Sequence, residues 1–230
     1  MTRAILWDFD RTLARREGMW SGCLVDALED VRPGHGHARE SFRPYLSDGF
    51  PWHAHETPHP ELCEPDAWWA HVEMLLANAY RGVGLDDESA TAAAARVRIV
   101  YGDHTRAWAL FDDVIPALQA LRDAGWRHGI LSNHVPELPA LVAGLGLDDF
   151  VAVIVNSATI GYEKPHPEAF AEARRALGAP SELWMVGDNP VADVAGAEAA
   201  GIRAILVRHD GAPGLAAVVR RLNALREHDN

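Results

Sequence analysis

The chain has 230 residues, 48% of them hydrophobic, and a formal net charge of -12. That length supports one or two domains with a sizeable core, and that apolar content excludes a disordered chain. The acidic balance argues against a nucleic-acid surface or docking on an anionic membrane, the two cysteines, Cys23 and Cys63, are too few for a disulfide framework, and no apolar run approaches the ~20 residues of a membrane span.

The opening MTRAILWDFD reaches an acidic pair too early for a secretory signal, and scarce cysteine suits a reducing compartment, so a cytoplasmic protein is expected. The first predicted strand, AILWDF (4–9), runs straight into Asp8 and Asp10, one residue apart. From about 14 to 107 no strand pattern stands out. The regular parts there are helical: SGCLVDALEDV, PDAWWAHVEMLLANAYRGVG and DESATAAAARVRIVYGDHTRAW. An irregular stretch, 33–62, is rich in His, Pro and Gly. A helix is predicted over 114–124, from near Pro116 to just before Gly125. Strand-like runs then follow at 128–133, 151–157, 183–188 and 202–208. Helical patterns at 136–146, 166–177 and 190–200 separate them, with another at 214–227. Pro136, Pro167 and Pro190 suit first helical turns, and Gly146, Gly178 and Gly201 suit helix ends. Short apolar strands alternating with helices predict parallel βαβ units. The expected fold is α/β: a Rossmann-like parallel sheet with helices on both faces, built from 1–13 and 108–230, with an inserted α-helical module over 14–107.

In an open parallel sheet, ligands bind beyond the carboxyl ends of the strands. Here those ends carry Asp8 and Asp10, then Ser132 and Asn133, then Lys164 in GYEKPHP, then Asp188 and Asn189. Taken singly, Ser, Asn and Asp are ordinary helix N-caps, Asp10 suits a turn, and Lys164 suits a solvated lysine before Pro165. Together they suit phosphoryl transfer. A carboxylate can attack phosphorus, a second can shuttle a proton, further carboxylates can hold Mg²⁺, and hydroxyl and ammonium groups can bind phosphate oxygens. Clustered charges at a strand end are costly unless a cation neutralises them.

These motifs resemble the haloacid dehalogenase superfamily, most of whose members are phosphatases. DFDRTL matches its first motif, Asp-x-Asp-x-Thr-Leu/Val, and LSN its second. YEKP carries the lysine of the third, and GDNPVADVAGAEAAG matches the fourth, with a second Asp five residues after the first. The resemblance implies that Asp8 is the nucleophile and a Mg²⁺ ligand. It implies that Asp10 is the general acid/base and offers its backbone carbonyl to Mg²⁺. Ser132, Asn133 and Lys164 would bind the phosphoryl group, Asp188 would ligate the metal, and Thr12 and Asp193 would support these groups. Arg11 departs from the commonest family residue, glycine; it would pair with a nearby carboxylate or touch substrate. Motif spacing leaves room for one insertion, which resembles the helical cap of a subfamily. Gly18, in the turn RREG, would serve as its hinge.

The implied activity is a Mg²⁺-dependent phosphatase acting on a small phosphorylated metabolite through an aspartyl-phosphate. Rivals on the same fold are a 2-haloacid dehalogenase, where the second Asp of the first motif is replaced, and a phosphomutase. Phosphonate hydrolysis needs a cap lysine, and 14–107 contains none. A non-catalytic binding or regulatory domain would have lost a core catalytic residue. Outside the motifs, His53, His55, Glu56 and His59 offer either substrate contacts or ligands for a transition metal. Trp52, Trp68 and Trp69 suit packing within the insertion, with one of the last two exposed or meeting the sheet domain. Arg15 and Arg16 suit either plain surface or recognition of a second anion.

Overall fold

Alternation along the first strand sets the architecture. The computed structural model describes residues 2–228, and in it β1 (Arg3–Trp7) is buried on both faces. Ile5 and Trp7 point into one apolar cluster, and Ala4 and Leu6 into another, as a period of two requires. The chain then forms β2 (Ala14–Arg16), α1 (Met19–Val31) and a short α2 (Arg39–Phe42). α3 (Pro65–Gly82), α4 (Asp87–Gly102) and β3 (Trp108–Leu110) complete this part. After them come α5 (Val114–Asp123), β4 (Arg127–Ser132), α6 (Leu138–Gly144), β5 (Val151–Asn156), α7 (Ser157–Ile160) and α8 (Pro167–Ala176). β6 (Glu182–Gly187) leads into a π-helical turn over Pro190–Ala195, continued by α9 (Gly196–Ala199), β7 (Arg203–Leu206) and α10 (Leu215–His228).

Five strands form one parallel sheet in the order β5-β4-β1-β6-β7. Residues of α5, α6 and α10 pack on the Ile5 and Trp7 face, and those of α8 and α9 on the Ala4 and Leu6 face. The expected sheet with helices on both faces is therefore present. Its strands lie within one or two residues of the predicted runs. Two local expectations fail. Pro136 lies before α6, whose first turn carries Pro139 instead. The 14–107 stretch is not wholly without strand, because β2 pairs antiparallel with β3; three residues are too few to display an alternation.

The helices α1, α3 and α4 pack on one another, and their apolar residues join the first sheet cluster through Phe9, Leu13 and Trp108. Residues 33–62 hold only α2 and three 3₁₀ turns, yet Phe42 and Phe50 are buried there. Trp68 and Trp69 are both buried. The second meets the sheet domain, donating its indole N–H to Glu137 at 2.9 Å. Among the described residues no helix is long and apolar enough to cross a membrane.

Candidate active site

Four strand ends of the sheet deliver the polar residues to one place. Asp8 follows β1 directly and stays in register, its backbone N–H donating to Val186 on β6. The chain then turns sharply, with Leu13 and Ala14 both donating backbone N–H groups to Phe9. Arg11 occupies this turn at φ 61, a left-handed conformation that costs a non-glycine residue about 1 kcal/mol or more. Its guanidinium Nε lies 3.3 Å from Asp188 Oδ2, so the carboxylate-pairing alternative holds for Arg11.

Asp8 is the point of convergence. Ser132 Oγ, the last residue of β4, donates to its Oδ1 at 3.0 Å, and Lys164 Nζ donates to the same oxygen at 2.7 Å. Thr12 Oγ1 reaches Oδ2 at 3.4 Å. Lys164 is buried and also donates to Asp193 Oδ1 at 2.6 Å. Asn133 grips the main chain of Lys164 from both sides. Its side-chain NH₂ donates to the Lys164 carbonyl at 2.9 Å, and its Oδ1 accepts the Lys164 N–H at 2.7 Å. Asn133 also lines the cavity of the site, and its side chain positions the lysine.

The turn after β6 is built around its cap. Asn189 Oδ1 accepts N–H bonds from Val191 and Ala192 at 2.9 and 3.0 Å, and Asp193 Oδ2 accepts the Asn189 N–H at 2.9 Å. Asp193 is thus held one turn in, aimed back at Lys164. A Cβ at Gly187 would overlap the Asp193 carboxylate, which is why the residue before Asp188 lacks a side chain.

Asp8, Asp188 and Asp193 offer carboxylate oxygens within 4.8 Å of one another. Burial, reinforced by the charge of Asp8, pushes Asp188 up to about 7, although Arg11 opposes the shift. Burial pushes Asp193 up as well, against the pull of Lys164. Burial alone would lower Lys164, but Asp193 and Asp8 outweigh it and hold the ammonium charged. Three buried carboxylates thus face one buried ammonium and one exposed guanidinium. A hard divalent cation suits that donor set and that unbalanced charge. Among the described residues this is the one such grouping found, and the histidines of 53–59 do not form another. Asp10 is outside it by its carboxylate, whereas Asp193, expected only to support, is inside it.

Asp10 Oδ1 is buried without a hydrogen-bond partner, and so is Nε2 of His134, 3.5 Å away. His134 is wedged between Phe9, Tyr101 and Trp108. Sequence reasoning passed over it, although its place one residue beyond the Ser132-Asn133 pair is a usable signal. All these groups open into a cavity of about 500 Å³. Its other walls include Met19, Trp20, Trp52, His53, His55 and Tyr101. Met19, Trp20 and Tyr101 carry no local mark of a site; only the packing of α1 on α4 brings them there.

A family model described as haloacid dehalogenase-like hydrolase matches residues 2–201. The chain is similar to a glyceraldehyde 3-phosphate phosphatase of Methanopyrus kandleri, 37% identical over 142 residues, which are 60% of this chain and 58% of that one. The matched part spans about half the length of such curated relatives. Among solved structures, a HAD phosphatase from Thermococcus onnurineus is 22% identical with a TM-score of 0.65, covering 96% of this chain and 98% of that one. The L-2-haloacid dehalogenase from Xanthobacter autotrophicus is 27% identical with a TM-score of 0.63, covering 90% and 78%.

Proposed function

The chain belongs to the haloacid dehalogenase-like hydrolases, and from that membership we propose that it is a Mg²⁺-dependent phosphatase of a small phosphorylated metabolite. The observation that carries this reading is the convergence on Asp8 of a hydroxyl and an ammonium, Ser132 and Lys164, with a second carboxyl two residues on. Asp8 attacks phosphorus. As its oxygen–phosphorus bond forms, the bond to the leaving oxygen breaks, and that oxygen takes a proton from Asp10. Water then attacks the aspartyl-phosphate, gives its proton to Asp10, and releases phosphate and free Asp8. Ser132 and Lys164 bind the phosphoryl oxygens, and Asn133 and Asp193 keep Lys164 in line. Asp8, Asp188 and the Asp10 carbonyl would hold Mg²⁺, with Asp193 beside them. Bound there, the ion would neutralise the carboxylates and stabilise charge on the transferring group. We take residues 14–107 as a cap over this site, selecting the leaving group and excluding water.

The phosphatase name of the Methanopyrus kandleri relative supports this reading. The likeness to the Xanthobacter autotrophicus dehalogenase supports a rival in which Asp8 attacks carbon. A halide leaves without a proton, so Asp10 and its partly buried setting favour the phosphatase. The test is a panel of phosphorylated metabolites, with Mg²⁺ and with EDTA, alongside a 2-haloacid. Phosphate release that needs the metal is expected. Halide release without phosphate release overturns the reading.

A further inference from the structure

The cavity has a second half that the catalytic carboxylates do not occupy, and its composition discriminates among leaving groups. Its wall is an aromatic stack. Trp20 lies over Tyr101 with ring centres 4.3 Å apart and planes 17° apart. It also meets Phe50 at 4.6 Å, and Phe50 stacks on Trp52 at 4.6 Å and 9°. Trp20 and Trp52 are only half-buried, and both line the cavity. Partly exposed indoles lining a cavity favour a flat or apolar body over water.

The charges point the same way. Among the described residues, Arg11 and Lys164 are the only lysine or arginine side chains lining the cavity. Both are turned to the carboxylate half, Arg11 onto Asp188 and Lys164 onto Asp8 and Asp193. The arginines that follow the first motif serve elsewhere. Arg16 is buried against Asp26 at 2.5 Å, and Arg15 lies over the Phe111 ring at 5.3 Å. The other basic groups on the cavity wall include the imidazoles of His53 and His55, and burial pushes His53 down against the pull of Asp48. A second carboxylate or phosphate on the substrate would lose its water against indole rings, with the lysine and arginine of the cavity already paired to carboxylates.

We propose that the preferred substrate is the monophosphate ester of a neutral, ring-bearing alcohol whose ring rests on Trp20 and Trp52, and that phosphates carrying a second anionic group are poor substrates. This deepens the phosphatase reading above and rests on it.

Three esters with matched two-carbon leaving groups test it: ethyl phosphate, 2-phenylethyl phosphate and 2-phosphoglycolate, each assayed for phosphate release with Mg²⁺. Relative to ethyl phosphate, kcat/KM should be about tenfold higher for the phenylethyl ester and about tenfold lower for 2-phosphoglycolate. Trp52→Leu and Trp52→Ala should bring the phenylethyl-to-ethyl ratio towards one, in protein whose melting temperature shows that it is folded. A kcat/KM for 2-phosphoglycolate at or above that of the phenylethyl ester overturns the proposal and leaves the phosphatase reading standing. So do equal values for all three. A separate binding measurement keeps the two readings apart: 2-phenylethylphosphonate should quench tryptophan fluorescence, and phosphonoacetate should not. Quenching by both alike, or by neither, overturns the proposal whatever the turnover. No phosphate release from any ester, or from the wider panel, sinks the phosphatase reading and this inference with it.

Discussion

At the scale of single residues, the two carboxylates of the first motif differ in their surroundings. Asp8 accepts from Ser132, Lys164 and Thr12, whereas Asp10 Oδ1 faces only His134. Asp8→Ala should therefore abolish turnover and phosphoenzyme together. Asp10→Asn should lower kcat by ~10²–10⁴ and, with p-nitrophenyl phosphate, accumulate a hydroxylamine-sensitive phosphoenzyme. Phosphoenzyme in the Asp8→Ala protein would put the nucleophile elsewhere. A second prediction concerns Glu163, buried beside Lys164, whose carboxyl burial pushes up to about 7. The folded chain then holds this proton more tightly than the unfolded one. Stability contributed by protonated Glu163 is full below about 4.5 and lost as pH rises towards 7. Glu163→Gln removes that titration. Its stability relative to wild type should rise between those pH values by up to about 3 kcal/mol and stay level on either side, read from urea midpoints. A constant difference would contradict the assignment. Much of the site was legible because Asp8, Ser132 and Asp188 lie at strand ends and Lys164 in the loop that follows β5 and α7, where sequence order sets position. The grip of Asn133 on Lys164 was not legible, because residue type does not reveal which backbone a side-chain amide will hold. Trp20 and Tyr101 were invisible because their meeting depends on non-local helix packing.

At the scale of elements, the parallel strands were read from apolar runs with polar ends, and their structure agrees closely. The insertion was legible only as helix. Residues 33–62 have no period, yet Phe42 and Phe50 anchor them in the common core. One polar tie between insertion and sheet domain passes through Glu137, at the N-cap position of α6. It accepts from Trp69 on α3 at 2.9 Å and from Arg98 on α4 at 2.9 Å. Glu137→Ala would strand the buried indole N–H and one arm of Arg98. A loss of about 1–3 kcal/mol in urea unfolding is expected, with Glu137→Gln losing less because its carbonyl can still accept. Equal losses for the two variants would assign the effect to packing rather than to the acceptor.

At the scale of the whole molecule, the three-carboxylate cluster links stability to metal. Asp188 reaches about 7 through burial and the charge of Asp8, so keeping it ionised above that pH costs stability while no cation is bound. In EDTA at pH 8, Asp188→Asn should melt about 2–4 °C above wild type. With Mg²⁺ at about 100 times its Kd, the wild type should gain about 2.7 kcal/mol and the variant should gain almost nothing. An equal metal-induced rise in both would remove Asp188 from the site. The strand order β5-β4-β1-β6-β7 carries a different consequence, for the chain as it is made. Of the five strands of this sheet, β1 is made before the others and stands in the middle. Its partners begin at Arg127 on one side and Glu182 on the other. At about 5–20 residues per second, a strand that is apolar from Ala4 to Trp7 waits on the order of ten seconds for its first neighbour. During that interval the helices of 19–102 emerge in one uninterrupted stretch and can pack on one another. The nascent chain can thus pack its inserted helices before any of its five-stranded sheet. Asp8 and Asp10, although synthesised before those helices, acquire their surroundings after them.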